Sequence, residues 1–106
     1  MLACSPDKVK EESTADPLKI NYAIRSMWPH DRAAFTQGLL IHNGELFEST
    51  GQFGTSWIGI VDINTGKVDK KVVLDKQYFG EGIAILNNKI FQLTYQNKVG
   101  FVYDIK

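Results

Sequence analysis

From residue 35 onward the chain alternates short apolar runs with turn-forming residues, and no segment carries an apolar stripe of helical period. This pattern predicts strands over residues 37–41, 45–50, 57–63 and 67–74, then over 81–86, 89–95 and 99–105. A leading strand is expected around 19–28. The predicted breaks are His42-Asn43-Gly44, the Gly/Ser/Thr-rich stretch 51–56, Asn64-Thr65-Gly66 and Asn87-Asn88. Asn-Gly and Thr-Gly between apolar runs are hairpin signals, because glycine supplies the positive φ that tight turns need. Residues 57–61 and 72–74 are apolar on both faces, which suits sheets stacked on sheets.

The strands repeat. Laid over one another at an offset of 44, Phe35-Thr36-Gln37-Gly38 falls on Phe79-Gly80-Glu81-Gly82. Ile41, Asn43, Phe47 and Thr50 then meet Ile85, Asn87, Phe91 and Thr94. Asp62-Ile63 meets Asp104-Ile105 at an offset of 42, so two residues are lost where the first copy has its 51–56 loop. About four strands per repeat of 40–50 residues is the pattern of a β-propeller blade. The fold expected is therefore all-β: about two four-stranded antiparallel blades, the first over 35–74 and an incomplete second over 79–106. A small antiparallel sandwich with a coincidental likeness between its halves is the competing architecture.

Composition narrows the chemistry. The 106 residues hold 12 Lys+Arg against 12 Asp+Glu, with a single cysteine. Such neutrality argues against a nucleic-acid binder, which shows a basic surplus or stripe. One cysteine forms no internal disulfide, and no Cys/His set has zinc spacing. Residues 1–18 read as a separate N-terminal stretch: Met-Leu-Ala-Cys4, then a polar segment whose acidic groups outnumber its basic ones. A small residue before Cys4 and a solvated tether after it resemble the end of a bacterial lipoprotein signal, without its basic and apolar leader. An ordinary free cysteine near a loose end is the alternative. On the lipoprotein reading the protein is exported, periplasmic or held on a membrane by acyl chains at Cys4, with no spanning helix.

In a propeller, equivalent positions of successive blades lie side by side around the central channel. Phe35 with Phe79, and Gln37 with Glu81, would therefore converge on one mouth of it, a concave place where small ligands bind. A carboxylate between glycines, beside aromatic walls and a carboxamide, is a candidate acid/base group. A strand-initial glutamate with its head in solvent is the alternative. Trp28 and Trp57 read as packing residues, and His30 and His42 as loop residues.

Pro29-His30-Asp31, the stretch 34–39 (AFTQGL), the stretch 78–82 (YFGEG), Gln92-Leu93-Thr94-Tyr95 and Gly100-Phe101-Val102-Tyr103 resemble the glutamine cyclotransferase family, the plant and bacterial type of glutaminyl cyclase. The resemblance covers about residues 20–106. It implies a five-bladed propeller that turns the N-terminal glutamine of peptides into pyroglutamate with release of ammonia, without metal or other cofactor. It implies Glu81 as the catalytic proton shuttle, Gln37 as a substrate-holding carboxamide, and Phe35 and Phe79 as aromatic walls. Tyr95 stands where family members carry a tryptophan; it keeps an aromatic face but is smaller and adds a hydroxyl. A tryptophan, an asparagine and a lysine of the family pocket would lie beyond residue 106. The chain thus reads as about two-fifths of a ring, an N-terminal fragment of a monomeric parent. A non-catalytic propeller that binds without chemistry is the alternative function.

Overall fold

The computed structural model describes residues 15–105, and all regular structure among them is β-strand. A four-stranded antiparallel sheet comprises β1 (Thr36–His42), β2 (Glu45–Thr50), β3 (Trp57–Val61) and β4 (Val68–Val73), in that order. A three-stranded one follows: β5 (Gly80–Leu86), β6 (Lys89–Thr94) and β7 (Gly100–Asp104). The two sheets are the two blades that the repeat predicts. Their tightest turns carry the expected residues. Asn43 and Gly44 (φ 49° and 78°) close β1 onto β2, and Asn87 and Asn88 (φ 49° and 59°) close β5 onto β6. Two consecutive positive φ values make the primed turn whose twist matches that of the flanking strands.

The sheets stack face to face. Phe47 and Ile58 of the first blade and Ile90 of the second, all buried, form the seam, flanked by Leu40, Ile60, Ile83 and Ile85. The repeat makes this stacking directional. Phe47 is 2% exposed, whereas its equivalent Phe91, on the far face of the second blade, is 40% exposed. The innermost strands approach closely: a Cβ on Gly38 would lie 2.9 Å from the Ile83 amide nitrogen. Glycine is needed there so that β1 and β5 can approach. The equivalent Gly82 faces open space.

Three expectations are corrected. Residues 19–28 form no strand. Leu18, Ile20, Tyr22 and Ile24 do alternate as a strand would, yet all are exposed, because no described strand edge pairs with them. A strand needs its ladder, so pattern alone does not make one. Trp28, expected to pack, is 55% exposed in that same segment, whereas Trp57 is buried as expected, with the Lys71 ammonium 5.9 Å from its ring centre. His42 ends β1 rather than lying in a loop, with its ring 6.4 Å from that of Phe47. Cys4 and most of the N-terminal tether fall outside the described residues.

The segment before β1 does contact the first blade. A Cβ on Gly66 would lie 2.6 Å from the carbonyl oxygen of Pro29, so the β3–β4 turn and this strap touch closely. His30 lies 2.8 Å (Nε2) from Oε1 of Glu48, which also accepts a 2.6 Å hydrogen bond from the Thr36 hydroxyl. Glu48 is 1% exposed, so these partners compensate for the water its carboxylate has lost.

Candidate active site

Both predicted polar residues of the channel mouth sit in β-bulges. Across β1 and β2, Thr36 pairs with Thr50 and Gly38 with Ser49, leaving Gln37 as an extra residue. Across β5 and β6, Gly80 pairs with Thr94 and Ile83 with Gln92, so Glu81 and Gly82 together oppose Leu93. It is the same irregularity 44 residues on. Bulges re-aim side chains and recur beside active sites. Here they give Gln37 and Glu81 matching placements on adjacent innermost strands. Both are partly buried, open to a ligand yet held by the sheet.

The aromatic residues gather around Phe79. Its ring centroid is 6.0 Å from Phe35, 5.9 Å from Tyr95 and 5.5 Å from Phe53, each in edge-to-face geometry. Such pairs are attractive because the positive edge of one ring meets the negative face of another. Phe35, Phe79 and Tyr95 are thus brought together as expected, and Phe53 joins them from the 51–56 loop. Sequence reasoning missed Phe53 because the matching loop of the second copy is two residues shorter and offers it no aligned aromatic partner. Its only signal was an aromatic residue within a turn.

Backbone hydrogen bonds show what Tyr95 replaces. The Gly51 amide donates to the Phe35 carbonyl (2.8 Å), and the Tyr95 amide donates to the Phe79 carbonyl (2.9 Å). Gly51 and Tyr95 are therefore equivalent positions. In the first blade glycine makes room for the Phe79 ring, which a Cβ there would push aside. In the second it is free to carry an aromatic wall, and Tyr95 is about half exposed.

The β5 bulge is held from the first blade. Ser56 Oγ accepts the Gly80 amide (2.9 Å) and donates to the Gln52 carbonyl (2.6 Å). Ser49 Oγ donates to the Glu81 carbonyl (2.7 Å) and accepts from Gln92 Nε2 (2.8 Å); the Tyr103 hydroxyl donates to Gln92 Oε1 (2.7 Å). Burial pushes the Tyr103 hydroxyl above its usual pKa, because the phenolate would lose hydration. Ser49, Ser56 and Gln92 are at most 1% exposed. A cavity of about 480 Å³ lies elsewhere, between β3–β4 and β6–β7, and none of the predicted site residues lines it.

Comparison with known proteins agrees with this architecture. The sequence is 41% identical over 101 residues to glutaminyl-peptide cyclotransferase of Arabidopsis thaliana, covering 90% of this chain and 32% of that protein. Its fold superposes on the crystal structure of Myxococcus xanthus glutaminyl cyclase with a TM-score of 0.65 and 30% identity, over 73% of this chain and 32% of that one. The chain thus spans about a third of the length of these relatives. The family model described as glutamine cyclotransferase matches residues 1–106, and the chain belongs to that family.

Proposed function

We propose that this chain supplies the proton shuttle and part of the pocket of a glutaminyl-peptide cyclotransferase. Its substrates are peptides or proteins with an N-terminal glutamine. One observation carries the reading: Glu81 occupies a bulge on the strand that begins beside the Phe35–Phe79–Tyr95 cluster, with Gln37 at the equivalent bulge of the adjacent strand.

The reaction needs few parts. The α-amine nitrogen attacks the side-chain carbonyl carbon of the same glutamine, closing a five-membered ring, and the Glu81 carboxylate takes a proton from that nitrogen. The C–N bond to the carboxamide nitrogen then breaks, Glu81 returns the proton to it, and ammonia leaves. Glu81 ends in its starting state, so one carboxylate serves both steps. Because nucleophile and electrophile belong to one residue, the walls have only to hold the side chain folded towards its own amine, and the gain is one of orientation. Phe35, Phe79 and Tyr95 supply apolar faces for that, and Gln37 supplies a donor and an acceptor for the peptide. Ammonia release from a peptide with N-terminal glutamine tests the reading. Glu81→Gln keeps the shape and removes the base, and the rate should fall by about 10²–10⁴. An unchanged rate refutes Glu81 as the shuttle.

The proposal extends to location. Cys4 followed by a polar tether supports export and acylation at that cysteine. Mass spectrometry of the N-terminal peptide from a bacterial membrane fraction should show the acyl chains, and a free Cys4 thiol there would overturn it.

A further inference from the structure

We propose that Ser49 and Ser56 are positioning residues for Glu81, holding its bulge from the neighbouring blade at two points; this rests on the reading of Glu81 as the proton shuttle. A bulge releases backbone groups from the ladder. Here Ser56 accepts the amide just before Glu81, that of Gly80, and Ser49 donates to the carbonyl of Glu81 itself. The two bonds bracket the Cα from which the carboxylate projects. Neither hydroxyl is free to turn away. Gln92 Nε2 can only donate, so Ser49 Oγ accepts there and its one proton goes to Glu81. Ser56 has its proton on the Gln52 carbonyl and so receives the Gly80 N–H on a lone pair.

The contact is close as well as polar. A Cβ on Gly80 would meet the carbonyl oxygen of Thr50 and lie 3.0 Å from Gln92 Nε2, so this backbone sits directly on the first blade. Both serines are buried, which makes their bonds costly to leave unmade. Buried as they are, Ser49 and Ser56 present no surface to a substrate. Their effect on chemistry passes through the aim of Glu81.

The test compares Ser49→Ala and Ser56→Ala with Ile58→Val, which loosens the same seam without touching a polar group. In ammonia release from a glutaminyl peptide, each serine variant should lower kcat on the order of 10- to 100-fold and leave KM within about twofold, because the walls stay in place. Ile58→Val should leave both within about twofold. Unchanged kcat in folded serine variants overturns the proposal, and so does an equal loss in Ile58→Val. If the unsubstituted chain, which spans about a third of its relatives' length, releases no ammonia by itself, the two serine contacts are judged instead by amide hydrogen exchange on the same samples. Exchange at Gly80 should then rise about tenfold or more in Ser56→Ala while that of β6 is unchanged; no rise, or a uniform one, overturns it. Should Ser49→Ala not fold, Ser49→Cys, which fills the space with a weaker donor, is held to the same criteria. Failure of both to fold reduces Ser49 to a structural residue and overturns the proposal.

Discussion

The repeat supplies its own control for the energetics of the seam. Phe47 and Phe91 are the same residue at the same position of successive blades, one buried between sheets and the other on an outer face. Truncating Phe47 to alanine removes a ring packed by Ile58 and Ile90 and leaves a void beside the existing inter-sheet cavity. Lost transfer free energy and the void together cost about 3–5 kcal/mol. Phe91 has little more than half its surface covered and no opposing sheet to collapse from, so its truncation should cost only about 1–2 kcal/mol. Urea unfolding of the 106-residue chain, followed by the fluorescence of buried Trp57, measures both. Expected is a clear drop in midpoint for Phe47→Ala and a small one for Phe91→Ala. Equal losses, or a larger one for Phe91→Ala, would refute the reasoning that the two blades form one directional stack.

Other expectations follow from single contacts. Tyr103 ionises above its usual pKa of 10.0 when folded, so the unfolded chain gives up this proton first, and the stability it contributes below pH 10 declines as pH rises through the folded value. Denaturant midpoints measured from pH 8 upward should therefore fall more steeply for the unsubstituted chain than for Tyr103→Phe. Gly51→Ala forces the Phe79 ring aside, and should raise KM for a glutaminyl peptide several-fold while costing about 1–3 kcal/mol of stability in urea. The Lys89–Asp104 pair, 2.6 Å apart but with both side chains at least half exposed, should matter little: Asp104→Asn is expected to shift stability by less than about 1 kcal/mol, and less still in high salt.

The strands were legible because their ends are marked by residues with one strong conformational preference. Asn43-Gly44 and Asn87-Asn88 mark the two hairpin turns, the first of them one residue later than the predicted break begins. The 44-residue offset then carries the architecture, since it alone aligns Gln37 with Glu81. What pattern could not convey is pairing at a distance. Glu48 looks like an ordinary polar strand position, yet it is buried and bonded to His30, 18 positions earlier. Gln92 and Ser49 look like ordinary polar strand positions, and their hydrogen bond spans 43 residues. The 19–28 segment shows the converse, in that a sound strand pattern stays unpaired where no described ladder receives it. The bulges were hidden for another reason. An extra residue changes no composition, and shows only when two strands are counted against each other.

The polar contacts across the seam also have a direction in time. Gly80, Glu81 and Gln92 all find their partners earlier in the chain, at Ser56 and Ser49. During synthesis the first blade, whose strands pair only with sequence neighbours, can close before residue 80 leaves the ribosome. When Glu81 emerges, the surface that fixes its bulge is already built. The first blade is then the template on which the second is laid, so the placement of Glu81 is inherited from residues made before it.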